Sequence, residues 1–185
     1  MKKTLISITL FSCFIAYSQI HEIAIFNNSN TYNLKGIISA GDTSGTNCGL
    51  IVSNQAPSGI EVPMGGDVRY TDYRGQRYSS TFPVSEWVVN DGTNPPKVLY
   101  FDDPNLTHDL SPITDWSTLE FDMKDSNGTS TFTSFIQNPN YPCASNPSYV
   151  NSTGTGLSQN VEAFWSSMVD PITGNTILLI IINDI

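Results

Sequence analysis

Positive charge is what this 185-residue chain has least of: eight Lys and Arg stand against 17 Asp and Glu, for a net charge of −9 with its two His neutral. That shortage excludes a surface built to grip polyanions, so neither nucleic acid nor an anionic membrane is an expected partner. Charged residues of either sign make up only 14%, too few for a coiled coil or a charged disordered tail. No segment reaches the roughly 18 consecutive apolar residues that a membrane-spanning helix needs, and no amphipathic strand is long enough to insert. A His-Glu zinc motif, a Gly-x-Ser-x-Gly elbow and a phosphate-cradling loop are all missing. The expectation is therefore no cofactor, no metal and no assigned catalytic residue.

Abundant instead are Ser (22), Thr (18) and Asn (17), nearly a third of the chain. Hydrophobic residues at 39%, with nine Phe, eight Tyr and three Trp, can close one core, and the length suits one domain.

Lys2 and Lys3 precede an apolar stretch from Leu5 to Ala16, and Ala16-Tyr17-Ser18 places small side chains at −3 and −1 of a cleavage point. The expected reading is a signal peptide, residues 1–18, cut before Gln19, which leaves residues 19–185 as a single exported domain, periplasmic or extracellular, of net charge −11. A rival reading makes Leu10-Phe11-Ser12-Cys13 a lipoprotein signal with Cys13 as the anchor, but apolar Phe14, Ile15 and Ala16 follow where a polar tether belongs. Cleavage leaves Cys48 and Cys143, and in an oxidising compartment one disulfide is expected. It would stabilise the fold by about 4 to 5 kcal/mol in the chain-entropy model, less any strain. It would also pin two long loops, residues 40–48 and 138–158.

Short apolar or alternating segments recur, each ended by Gly, Pro, Asn or Asp, and helical periodicity is absent from most of them. They run from Ile23 to Phe26, through a segment holding Tyr32, Leu34 and Ile38, then Gly49 to Val52, Ile60 to Val62, Val68 to Tyr73, Arg77 to Phe82, Trp87 to Val89 and Val98 to Phe101. Leu119, Phe121 and Met123 alternate with polar neighbours up to Asp125-Ser126-Asn127-Gly128, a hairpin turn whose Asn127-Gly128 can supply positive φ angles. Its acids lack the alternate spacing of a calcium loop. Val161 to Val169 fits either period. A short turn to the apolar run Ile177 to Ile182 favours a strand there, and both periods bury Trp165. That run, with no polar face, reads as a central strand covered on both sides. The fold expected is all-β: one antiparallel β-sandwich, jelly-roll-like or immunoglobulin-like, with a closed β-barrel as the alternative and at most one short helix.

Two clusters could carry chemistry. All three arginines, Arg69, Arg74 and Arg77, interleave with Tyr70, Tyr73 and Tyr78 around Gly75. On two strands, Arg69, Tyr73, Arg74, Arg77 and Tyr78 could present guanidinium and phenol groups to a glycan or a protein surface. Alternation would put Arg69 and Tyr73 outward and hide Val68 and Tyr70. The second cluster, Asp102-Asp103-Pro104-Asn105-Leu106-Thr107-His108-Asp109, reads as a surface loop anchored by Leu106, with metal ligation or acid/base work as the sharper alternative. His21, near the mature terminus, has no fixed environment in sequence and reads as a poor base. The function expected is an exported, non-catalytic binding or adhesion module. The alternative is a secreted carboxylate-dependent, glycosidase-like hydrolase drawing on Asp102, Asp103, Asp109, Asp115 or Glu120, and a membrane-active β protein is a distant third.

Overall fold

The computed structural model describes residues 21–54, 59–74, 84–155 and 159–185. Twelve strands occupy most of it in chain order: β1 Glu22–Asn27, β2 Asn33–Asp42, β3 Ile51–Asn54, β4 Ile60–Val62, β5 Gly66–Tyr70, β6 Glu86–Asn90, β7 Lys97–Tyr100, β8 Thr114–Lys124, β9 Ser130–Gln137, β10 Tyr149–Asn151, β11 Val161–Val169 and β12 Thr176–Asp184. They form a sandwich of two sheets. One has five strands in the order β10-β11-β12-β1-β5, and the other runs β7-β6-β3-β2-β8-β9 with β4 paired to β2. Pairing is antiparallel except between β1 and β12, which run parallel from Glu22↔Ile177 to Asn27↔Ile182.

Period-2 alternation sorts side chains onto the inner faces. Ile23 and Ile25 of β1, Val68 and Tyr70 of β5, Ile180 and Ile182 of β12 and Trp165 of β11 meet Leu34, Ile38, Val52, Trp87, Leu119, Phe121 and Met123 from the opposite sheet in one core. Alternation breaks in β8, where the register shifts opposite Ser39 and Ala40 and both Trp116 and Ser117 turn inward, the signature of a bulge. The β8–β9 turn also differs from a two-residue tight turn. Only Gly128 has positive φ (78°), Asn127 does not, and the Gly128 N–H donates to the Asp125 carbonyl, as in a type I turn followed by a left-handed glycine.

The run Ile177 to Ile182 is indeed central in its sheet, but its cover is one-sided. Leu178, Ile180 and Ile182 are buried in the core, whereas Leu179 and Ile181 lie half-buried on the outer face. The segment at Val161–Val169 is a strand, and Trp165 is 7% exposed. The helical segment lies elsewhere, in a π-helical turn at Asn105–Leu110 closed by the Ser111 N–H donating to the Leu106 carbonyl. Sequence patterning read this stretch as loop, because six residues show no period. Asp103 starts it by accepting from the Asn105 N–H and side-chain amide, and buried Leu106 fixes it to the core.

Cys48 and Cys143 are bonded, with Cα atoms 5.7 Å apart. The first of the two loops they join is organised by Asp42, whose carboxylate accepts from the N–H groups of Ser44 and Asn47 and the hydroxyls of Ser44 and Thr46. These bonds hold its pKa down to about 2 against the opposing effect of burial. The second loop is held by the Gln137 side-chain oxygen, which accepts from the N–H groups of Ser145 and Asn146.

Candidate functional site

Three places receive the residues of the arginine and tyrosine cluster, because the chain changes direction between Tyr70 and Arg74. Strand β5 ends at Tyr70, and the Asp72 carboxylate accepts from the Arg74 N–H at 2.7 Å, making a turn. Tyr73 therefore swings back under the sheet and is not presented to solvent. It is 2% exposed, packs edge-on against Trp87 and Trp116 with ring centroids 5.0 and 5.7 Å away, and pairs its hydroxyl with that of Thr114. Burial raises the pKa of both Tyr70 and Tyr73 well above the ordinary phenol value. Alternation had assigned Tyr73 to the outer face; strand geometry stops three residues too early for that. Arg77 and Tyr78, and the strand expected over Arg77 to Phe82, lie outside the described residues.

Arg69 goes to the outer face of the five-stranded sheet, with its guanidinium 5.7 Å from the Phe26 ring centre and within 4 Å of Glu22 and Asp67. On that face the strand register aligns Tyr149, Phe164, Ile181 and Phe26 in one row across β10, β11, β12 and β1. Adjacent strands are roughly 4.8 Å apart, so the row is roughly 14 Å long. Tyr149 is 47% exposed and the other three are half-buried. A second row runs beside it: Asn151, Glu162 and Asn183 in register, continued by Asn28. Its members are linked, with the Asn183 amide donating to Glu162, the Asn28 amide to Asn183 and the Tyr149 hydroxyl to Glu162.

Arg74 goes to a cleft of about 610 Å³, whose walls are Asp72 and Arg74 on one side and Thr107, His108, Asp109 and Ser111 on the other. Two clusters distant in sequence thus meet. The Asp72 carboxylate sits 3.7 Å from the Arg74 Nε. Thr107 gives its hydroxyl to the Asp103 carbonyl. Of the acids considered for catalysis, Asp109 alone lines this cleft. Asp103 organises the helical turn, Asp102 is exposed outside the cleft, and Glu120 lies on the outer face of the seven-stranded sheet opposite Phe135. Among the described residues no three His, Cys, Asp or Glu side chains come together as metal ligands.

Asp115 is bound to His21, and this pair is what sequence reasoning missed. The His21 Nδ1 lies 2.5 Å from one Asp115 oxygen, its N–H donates to the other at 3.1 Å, and its carbonyl accepts from the Trp116 indole at 2.6 Å. The environment of His21 is therefore fixed, against expectation, by a residue 94 positions away. Nothing in the local sequence of either residue signals the contact. Asn27, which matches a glycosylation acceptor, is buried, and its amide donates to the carbonyls of Tyr32 and Val62.

Comparison of the chain with family models, curated proteins and solved structures finds no match.

Proposed function

We propose that this protein is an exported, non-catalytic binding module that meets an extended, uncharged glycan chain through the outer face of its five-stranded sheet. The observation that carries the reading is the pair of parallel rows, one apolar and partly aromatic, the other of amide and carboxylate groups. A pyranose ring has an apolar C–H face and a hydroxyl-bearing edge, so a chain lying along the rows could stack on Tyr149, Phe164 and Phe26 while its edge reaches Asn151, Glu162 and Asn183. Glu22, Asp67 and Glu162 on the face disfavour a polyanion. The signal-like N-terminus and the Cys48–Cys143 bond support export. A protein surface is the competing ligand.

The test is retention of the mature protein on insoluble neutral polysaccharides, backed by a glycan array. Phe26→Ala with Tyr149→Ala should weaken retention at least ~10-fold, since used aromatic anchors typically cost about 2 kcal/mol or more. Equal retention of parent and double variant would remove the face from the binding site.

One observation favours the hydrolase as a second reading. Asp72 and Asp109, from distant segments, line a single cleft with His108, the kind of convergence that acid/base chemistry requires. Release of new reducing ends from a polysaccharide, abolished by Asp109→Asn, would establish it; its absence across a substrate panel would retire it.

A further inference from the structure

Strands β10 and β5 end one sheet, and β7 and β9 end the other. β10 is only three residues long, and β5 carries Asp67 and Arg69. β9 meets β10 and β11 of the opposite sheet, and behind its Thr133 and Phe135 stand Asp122 and Glu120. The uncovered half of β11, from Ser166 to Val169, runs in line with β10, which blocks a further strand at Trp165. Of these edges β7 combines the absence of a carboxylate with the largest apolar exposure: Val98 is 59% and Tyr100 64% exposed, and Phe101 follows at 41%. An edge of this kind is a template for another strand.

The pairing of β7 with β6 settles which backbone groups face outward. Phe101 donates its N–H to the Ser85 carbonyl, so with Trp87↔Leu99 and Val89↔Lys97 in register the groups of Leu99 and Lys97 are spent on β6. Those of Val98 and Tyr100 point away. The Tyr100 carbonyl already accepts from the Asp103 N–H at 2.9 Å. Among the described residues the Val98 N–H, the Val98 carbonyl and the Tyr100 N–H have no partner. Pro96, just before the strand, has a carbonyl and no N–H to give.

This set of groups is complementary to itself. A second copy running antiparallel, with Val98 opposite Val98, exchanges both Val98 hydrogen bonds. Each Tyr100 N–H then meets the Pro96 carbonyl of the other copy, where no return donor is needed because Asp103 already serves the Tyr100 carbonyl. A shift of two residues one way asks that carbonyl for a second bond; the other way leaves the Val98 carbonyl facing Pro96 and sets Lys97 opposite Lys97. We propose that β7 is the interface through which two copies of this chain join edge to edge at Val98, about a twofold axis normal to the seven-stranded sheet. The one charge on the strand, Lys97, lies opposite Leu99 of the other copy in this register. Because the axis is normal to the sheet, the outer faces of both five-stranded sheets look the same way. Two faces then meet one insoluble glycan surface, a consequence that rests on the reading above, whereas the pairing itself does not.

The test is sedimentation velocity of the mature protein over about 5 to 500 µM. One short strand pair buries less than the ~1,200 Å² of a standard interface, so half-dimerisation is expected on the order of 100 µM, with nothing larger than a dimer. Val98→Pro removes the central N–H without touching the β6 ladder, and Val98→Asp sets like charges face to face across the axis. Each should weaken the dimer at least ~10-fold. Val98→Asp should unfold in urea at the parent's midpoint, so that loss of the dimer is not loss of the fold. Val98→Cys should oxidise to a linked dimer, since Cα atoms of a hydrogen-bonded pair lie about 5.5 Å apart. Tyr100→Cys should not, because the register holds that pair roughly 13 Å apart. Phe26→Ala with Tyr149→Ala should dimerise as the parent does, so failure of the glycan face and failure of the edge are told apart. A monomer at every concentration, growth beyond a dimer, a dimer undisturbed by Val98→Asp, or linkage through Tyr100→Cys and not Val98→Cys would each overturn the proposal.

Discussion

The outer face of the five-stranded sheet and the cleft both draw on the stretch from Gly66 to Arg74, and they use it in opposite ways. On the face, Arg69 takes its place because β5 is a regular strand paired with β1, from Ile23↔Tyr70 to Asn27↔Gly66. In the cleft, Arg74 takes its place because the strand has ended and Asp72 has turned the chain. The face is a product of register, which fixes every side chain of a strand once one is fixed. The cleft is a product of two irregular segments docked on a common core. Regular pairing therefore yields long, flat arrays suited to an extended ligand, and irregular segments yield a concave site suited to a small one. Tyr73 lies between them and belongs to neither, since it serves the core.

The sharpest way to break this division is at Tyr73. Tyr73→Ala should destabilise the protein by about 3 to 5 kcal/mol, the range for emptying a buried aromatic site, whereas exposed Arg74→Ala should stay within ~0.5 kcal/mol. Urea denaturation of the two variants measures both. A Tyr73→Ala protein as stable as the parent would return Tyr73 to the surface and dissolve the distinction.

Acid should separate strand-built from loop-built regions more gently. Asp42, 5% exposed, has its pKa lowered to about 2 by the loop it organises. Its carboxylate therefore contributes stability that is complete above about pH 4 and lost as pH falls through about 2. Asp42→Asn should cost about 1 to 2 kcal/mol at neutral pH, and its deficit against the parent should close by about pH 2. Hydrogen exchange at neutral pH should show the variant's extra opening in residues 42–48 and not in β11 and β12. A deficit independent of pH would mean that shape and not charge holds this loop.

The finest comparison sets two buried tyrosines against each other. Among the described residues the Tyr70 hydroxyl has no hydrogen-bond partner, while that of Tyr73 is paired with Thr114. Tyr70→Phe should be neutral within ~0.5 kcal/mol or stabilising, and Tyr73→Phe should cost about 1 kcal/mol. Thermal melts of the two single variants decide it. Reversal of the order would mean that Tyr70 has a role the packing does not display.

Much of the sandwich was legible because its signals are local. Leu119, Phe121 and Met123 alternate with polar residues, and that alternation alone sends them to one face. The disulfide was legible once Cys13 was set aside with the expected leader, since Cys48 and Cys143 are then the two cysteines left. The helical turn at Asn105–Leu110 was not, because one side-chain hydrogen-bonding group, Asp103, and one buried anchor, Leu106, organise it. The inward turn of Tyr73 was hidden for a related reason: period-2 reasoning has no marker for where a strand stops, and Asp72 ends this one by a side-chain hydrogen bond.

By itself the sequence determined what each short segment could be: a strand with a buried side, a turn at Gly or Asn, an acidic surface, a pair of cysteines to be joined. Those properties follow from forces acting over a few residues, or from composition. Tertiary structure alone decided which segments became neighbours. It set Phe26 beside Ile181 and Phe164, brought Arg74 across from Asp109, and tied His21 to Asp115 at a separation of 94 positions. No local pattern encodes such meetings, because they arise from the packing of two sheets against each other, and that packing is settled by the chain as a whole.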